Sequence, residues 1–200
     1  MSKKSSIIIA AAATIFSFFT IAWLSCNKPK QPYSCDWTVC ENGGYCYQDT
    51  LSPHIPHCAC PSGFEGPTCA IISVAKYIGT WDLREHIDWS DSAKYIGRDS
   101  SYTVLLEKTA TNTTFFINNF FNDPYYDNII CNIDTLHTSH FTIDTLSNFH
   151  MFYDHYKINW GYGDIYANDS IIAHMFIRFK NKTSNWERDS VTIRLAPHHF

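Results

Sequence analysis

Cys35-Asp36-Trp37-Thr38-Val39-Cys40-Glu41-Asn42-Gly43-Gly44-Tyr45-Cys46 opens a run of 35 residues that holds six of the eight cysteines of the chain. Cys58-Ala59-Cys60-Pro61-Ser62-Gly63-Phe64-Glu65-Gly66-Pro67-Thr68-Cys69 closes it, and the spacing throughout is C-x4-C-x5-C-x11-C-x-C-x8-C. A segment this short buries too little surface to fold unaided, and each loop-closing disulfide contributes about 2–4 kcal/mol by restricting the unfolded chain. Clustered cysteines also require an oxidising compartment, since cytosolic thiols are kept reduced. Spacing alone leaves the connectivity open.

Downstream, the governing signal is alternation. Trp81, Leu83 and Ile87 share one parity against Asp82, Arg84, His86 and Asp88. Tyr102-Val104-Leu106, Ile129-Cys131-Ile133, Ile171-Ala173-Met175-Ile177-Phe179 and Val191-Ile193-Leu195 repeat the pattern. Period-two runs broken by Asn, Asp, Gly and Ser clusters indicate half-buried antiparallel strands. They fall near 79–87, 101–109, 113–119, 128–134, 140–145, 149–158, 170–180 and 186–195. Turns are expected at Asn122-Asp123-Pro124, Asn159 to Asp164 and Asn181 to Asn185. The fold class is therefore all-β. A small disulfide-rich module over 35–69 precedes an antiparallel barrel of about eight strands over 74–200, which hides its sheet edges by closing. A two-sheet sandwich is the alternative.

Upstream, Lys3 and Lys4 precede the apolar run Ile7 to Leu24, and Ser25-Cys26 follows. A charged start, an apolar middle and a small residue before a break is the layout of an export signal. Eighteen helical residues also reach about 27 Å, so a membrane-spanning anchor is an alternative, as is a simple cleaved signal. Residues 27–34 carry two prolines and two lysines without periodicity and read as a tether. The formal net charge is −4, with +4 on residues 1–34, −4 on the cassette and −4 on the remainder. No basic field exists to neutralise phosphates, so a nucleic-acid partner is not expected.

Three resemblances add to this reading. Leu24-Ser25-Cys26 resembles a bacterial lipobox, with Trp23 in place of the usual aliphatic. It implies a signal peptide over 1–25, a lipidated tether over 26–34 with lipid on Cys26, and a membrane partner through that lipid. The expected location is then a bacterial cell envelope. C-x-N-G-G-x-C at Cys40–Cys46 and C-x-C-x-x-G-F-x-G-x-x-C at Cys58–Cys69 resemble the epidermal-growth-factor-like (EGF-like) module over its whole length. That resemblance implies the pairs Cys35–Cys46, Cys40–Cys58 and Cys60–Cys69. Its calcium-binding members carry carboxylates before the first cysteine, where this chain has Gln31-Pro32-Tyr33-Ser34, so no calcium is expected. Finally, Gly79-Thr80-Trp81 at the head of the first long strand looks like the lipocalin and calycin barrels. There the Trp plugs the closed end and a basic residue of the last strand, here Arg194 or Arg188, covers it.

Other candidates read blandly. Cys131 is left without a cysteine partner, and its parity with Ile129 and Ile133 buries it as an inert thiol. His54 and His57 are loop residues, and the odd separations of His137 from His140 and of His150 from His155 point each pair to opposite strand faces. With His174, they form no metal set, and no metal or cofactor is expected. Gly161-Tyr162-Gly163-Asp164 lacks the helix, Lys and Ser/Thr of a phosphate loop and reads as a turn. Strand aromatics read as core and cross-strand pairs. Asp followed by Ser or Thr and then an apolar residue or Thr occurs six times. It resembles a bacterial O-glycosylation acceptor at Thr50, Ser92, Thr135, Thr145, Ser170 and Ser190; the alternative is turn chemistry. The chain is thus expected to be a non-enzymatic, lipid-anchored interaction or adhesion protein with a protein or glycan partner. Carriage of a small apolar ligand in the barrel, and a secreted eukaryotic EGF-type signalling or matrix protein, are the alternatives.

Overall fold

The computed structural model describes residues 35–36, 38–122, 126–145, 156–167, 169–180 and 183–199; all that follows refers to them. The fold is all-β, with a disulfide-rich N-terminal part and a closed eight-stranded antiparallel barrel. In the first part, β1 (Tyr45–Asp49) and β2 (Ser52–Ala59) form a hairpin that sets Cys46 opposite Cys58. β3 (Phe64–Glu65) pairs with β4 (Ile71–Ile72). The bonded pairs are Cys35–Cys46, Cys40–Cys58 and Cys60–Cys69, with Cα atoms 5.5, 5.7 and 5.2 Å apart. The Asn42 side chain donates to the Cys69 carbonyl at 2.8 Å, tying the two ends of the cassette together.

The barrel strands follow chain order. They are β5 (Gly79–Ser90), β6 (Asp99–Lys108), β7 (Thr114–Asn118), β8 (Ile129–Ile133), β9 (His140–Ile143), β10 (Tyr156–Ile165), β11 (Ile171–Lys180) and β12 (Trp186–Pro197). Each pairs with its sequence neighbour, and β12 returns to β5 from Asp189 opposite Ser90 to Pro197 opposite Trp81. The sheet is therefore one closed cylinder and not a two-sheet sandwich. Alternation dictates the filling: Leu83, Val104, Phe115, Ile117, Cys131, Phe141, Met175 and Ile193 all point inward and are buried. Burial of each large side chain contributes about 1.5–3 kcal/mol, which is why period two so strongly fixes register.

The sixth barrel strand departs from the expectation. The turn expected over Asn159 to Asp164 does not form, because β10 runs straight through it; residues 149–155 lie outside the described residues. The glycines that suggest a turn answer a packing need instead. A Cβ on Gly163 would lie 2.5 Å from Phe141 Cζ and 2.6 Å from Ala173 Cβ, and one on Gly161 would meet Met175 and Ile143 at 2.9–3.0 Å. Gly in a strand interior marks such close approach. Of the other expected turns, residues 123–125 and 181–182 lie outside the described residues.

One end of the barrel is sealed by the 3-10 helix Ser73–Tyr77. Tyr77 is fully buried, stacks on Phe115 at 4.9 Å and meets Phe141 edge-on at 5.6 Å. Its hydroxyl donates to the Thr138 carbonyl at 2.8 Å. Burial, then the neighbouring charges of Glu65 and Asp164, push this phenol well above its ordinary range, so it stays a donor. Trp81 is buried, and its indole N–H donates to the Tyr77 carbonyl at 2.9 Å. Neither Arg194 nor Arg188 covers it. Arg194 is exposed on the outer face because Ile193 and Leu195 take the inward parity. Arg188 also lies outside, forked onto Asp91 through Nε and Nη2 at 3.0 Å each.

The disulfide module docks on this sealed end. Gly63 accepts a backbone hydrogen bond from Ser73 at 3.0 Å and packs so close to Asn112 that a Cβ would come within 2.7 Å. Lys76 Nζ lies 2.9 Å from Glu65 Oε2 and donates to Thr138 Oγ1 at 3.0 Å. Thr138 Oγ1 in turn donates to Glu65 Oε2. Glu65 thus bridges the module to both the sealing helix and the β8–β9 loop. The last barrel strand also runs to this end, where the His198 amide donates to the Thr80 carbonyl at 3.1 Å and its ring meets Asp82 at 2.7 Å.

Candidate ligand site at the barrel mouth

Antiparallel order places the end of β5, the start of β6, the end of β11 and the start of β12 at the opposite end of the barrel from the module. There the core is incomplete. A cavity of about 560 Å³ opens into the interior, walled by Ile87, Tyr102, Phe121, Ile177 and Phe179. Its floor carries two carboxyls, Glu85 on β5 and Asp189 on β12, which are 8% and 3% exposed. Arg98, Asp99 and Lys180 stand at the rim beside Tyr95. A volume in the range of about 300–1,000 Å³ is that of a small-molecule site.

Each wall residue has a local reason for its place. Glu85 continues the inward parity of Trp81 and Leu83. Asp189 precedes Val191, Ile193 and Leu195 on the same parity of β12. The Tyr102 hydroxyl donates to Glu85 Oε2 at 3.3 Å and accepts the Phe121 amide at 3.1 Å. Phe121 has φ +57, a left-handed conformation costing a non-glycine residue about 1–2 kcal/mol. That amide bond and the Phe120 and Tyr126 rings, at 4.5 and 5.4 Å, hold it there. Tyr95 meets Phe179 edge-on at 5.4 Å.

The floor is electrostatically uncomfortable. Burial raises the Glu85 carboxyl above the ordinary glutamate range; the Tyr102 hydroxyl offsets part of this and the Asp189 charge adds to it. Burial likewise raises Asp189; a Ser90 hydroxyl bond offsets part, and Glu187 and Asp91 push it further up. Asp189 Oδ1 is buried and accepts no hydrogen bond from the described residues. An unsatisfied buried acceptor of this kind costs about 1–3 kcal/mol. Two acids buried together in one cavity make the mouth the candidate site.

The residues singled out in the sequence lie elsewhere. Cys131 is a free, fully buried thiol, and burial holds its ionisation well above the ordinary range. His137 is exposed, His140 pairs with Asp164 at 2.9 Å, and His174 meets Thr192 at 3.0 Å. No group of three or more His, Cys, Asp or Glu among the described residues is placed to hold a metal. Cys26, residues 1–34, His150 and His155 lie outside the described residues, as does the His54 side chain. No helix among the described residues is long and apolar enough to cross a membrane.

Of the six expected glycan acceptors, Thr50, Thr135 and Thr145 are exposed, Ser92 and Ser170 are half-buried beside strand ends, and Ser190 sits within β12. Asp49 accepts the Leu51 amide at 3.0 Å, and Asp134 accepts those of Leu136 and His137 at 2.7 and 3.1 Å. At those two positions the aspartate does turn work. The mouth acids were legible only as a break in pattern: Glu85 and Asp189 are carboxylates on an otherwise apolar parity.

Outside the barrel, Trp160 stacks on Phe176 at 4.3 Å and lies parallel to Tyr162 at 5.9 Å; all three are exposed. Trp160 and Phe176 are a cross-strand pair on the outer face of β10 and β11, and Tyr162 follows two residues along β10.

No family model matches the chain. Among curated proteins it is similar to neural-cadherin of Drosophila melanogaster, 42% identical over 52 residues. That stretch is 25% of this chain and 2% of the cadherin, the scale of one stapled module. The three bonded pairs and this match fit an EGF-like module preceding the barrel.

Proposed function

We propose that this chain is an exported, non-enzymatic recognition protein in which the EGF-like module is a spacer and the barrel mouth is the ligand seat. The observation that carries the reading is the cavity of about 560 Å³ at the end of the barrel remote from the module. A polar floor between aromatic walls selects ligands by hydrogen bonding, so the cargo is not a plain hydrocarbon. Tyr77, Phe115 and Phe141 pack against one another across the sealed half, which argues against carriage of an apolar molecule there. In this reading lipid on Cys26 anchors the protein at a bacterial envelope, a placement supported by the lipobox-like Leu24-Ser25-Cys26. Mass spectrometry of protein taken from its own membranes tests both halves. A small molecule lost on denaturation supports the ligand seat, and identical native and denatured masses reject it. Lipid on the denatured N terminus, abolished by Cys26→Ala, supports the anchor.

A second reading, adhesion through a macromolecular partner, draws on the cadherin match and on the exposed row of Trp160, Tyr162 and Phe176. Exposed Trp and Tyr are typical anchors of interfaces. A Trp160→Ala variant that binds host or neighbour cells as well as the parent protein rejects it. The insect match also supports a secreted eukaryotic EGF-type protein; a cleaved N terminus lacking Cys26 and lipid would favour that origin over the envelope.

A further inference from the structure

We propose that the mouth cavity binds a small organic ammonium ion, seated on Asp189 and Glu85 and flanked by the ring of Tyr102. The inference rests on the mouth being a ligand seat and supplies the chemical class.

Three observations point to a cation. Asp189 is 3% exposed, faces the cavity and leaves Oδ1 without a hydrogen-bond donor among the described residues. Glu85, on the neighbouring strand and the same inner face, has one long side-chain bond among the described residues, at 3.3 Å from Tyr102. Neither rim cation pairs with Glu85 or Asp189: Arg98 Nε donates to the Lys94 carbonyl at 3.0 Å with its guanidinium 5.0 Å from the Tyr95 ring, and the Lys180 ammonium lies 5.1 Å from the Trp186 ring. Arg188 is forked onto Asp91. The floor is therefore acidic and buried, and its two carboxyls have no cation partner among the described residues.

The choice of an ammonium over other cations follows from donor number and wall chemistry. Calcium takes six to eight oxygens, and no metal-competent cluster exists among the described residues. An ammonium needs only a few acceptors, gains from charge-assisted bonds to carboxylates, and is attracted to aromatic faces. Ile87, Ile177 and Phe179 offer apolar cover for an attached hydrocarbon or aryl group. An anion would meet two like charges on the floor, and a neutral ligand would leave both charges uncompensated.

The test is calorimetric titration of the disulfide-bonded protein with three matched probes: 2-phenylethylamine, 2-phenylethanol and 3-phenylpropanoate. The amine is expected to bind at least about tenfold more tightly than either of the others, about 1.4 kcal/mol. Asp189→Asn and Glu85→Gln are each expected to weaken the amine by about tenfold or more and to leave the alcohol unchanged. Both substitutions remove a buried charge at constant shape, so the fold is retained, and a thermal melt verifies this. Asp82→Asn, on the outer face, should leave binding unaltered. Equal binding of the three probes, amine binding that survives the double variant, or no amine binding overturns the inference. The ligand-seat reading is judged separately: a non-cationic molecule released on denaturation keeps the seat while the ammonium proposal falls, and no released molecule together with no amine binding removes both.

Discussion

Replacing Gly163 with alanine should destabilise the barrel by about 2 kcal/mol. The added Cβ would lie 2.5 Å from Phe141 Cζ, 2.6 Å from Ala173 Cβ and 2.9 Å from the Ile172 carbonyl oxygen. Carbon atoms sit comfortably at about 3.5–4.0 Å, so the methyl overlaps neighbours by roughly 1 Å on two sides. Neither neighbour has room to yield. The Phe141 ring is wedged against Tyr77 and Phe115 at 5.6 and 5.3 Å, and Ala173 stands directly opposite in the ladder. Overpacking of this kind costs about 1–3 kcal/mol, here at the upper end. Loss of glycine freedom in the unfolded chain returns roughly 0.4–1 kcal/mol. For a barrel of this size each kcal/mol moves Tm by roughly 4 °C, so Tm should fall by roughly 8 °C. Urea titration should show a lower midpoint at unchanged slope. Phe141→Leu removes the ring atom that the methyl strikes, so the double variant should lose less than the sum of the singles. A Tm within roughly 2 °C of the parent, or strict additivity, would refute the packing account of this glycine.

Three further outcomes are expected. Glu65→Ala should loosen the module from the barrel: limited proteolysis between residues 69 and 74 speeds up, while the barrel Tm drops by the equivalent of about 1 kcal/mol or less, since the Lys76 contact is only partly buried. Unchanged cleavage would show that Glu65 does not hold the module in place. Asp189→Asn should raise stability at neutral pH. Burial raises the Asp189 carboxyl in the fold, so the unfolded chain ionises first and native stability declines as pH climbs through the folded value. The gain should vanish below the ordinary aspartate range, where both states are protonated; a gain independent of pH would assign it to something other than charge. Cys131 should resist thiol reagents in the native protein and react fully in denaturant, because burial holds it protonated and covered. Rapid native labelling would contradict its position on the inner face.

Much of the architecture was legible in the sequence because parity and spacing are local. Ile129-Cys131-Ile133 and Val191-Ile193-Leu195 declare which face they bury, and the cassette declares its own module. Parity also argues against Arg194 as a plug, since it falls between two inward residues. Closure of β12 on β5 was readable only as a count of strands. What failed needed knowledge of neighbours across the barrel. Gly161 and Gly163 look like a turn until Phe141 and Ala173 are known to press on them. The mouth was missed for a related reason. Glu85 lies between Leu83 and Ile87 on one apolar parity, and only the cavity it shares with the buried Asp189 turns that carboxylate from an irregularity into a candidate site.

The incoming strand and the outgoing chain meet at the sealed end, where Pro197 faces Trp81 and His198 is bonded to Thr80 and Asp82. The described part of the rim around the cavity includes connections that leave and return between adjacent strands, such as residues 91–98. Loops of this kind accept insertions at an entropic cost that grows by only about 0.6 kcal/mol for each doubling of length. The barrel closure and the module junction sit at a distance from any such change. The mouth can thus be re-cut by loop grafting, in nature or in the laboratory, without disturbing the framework that carries it.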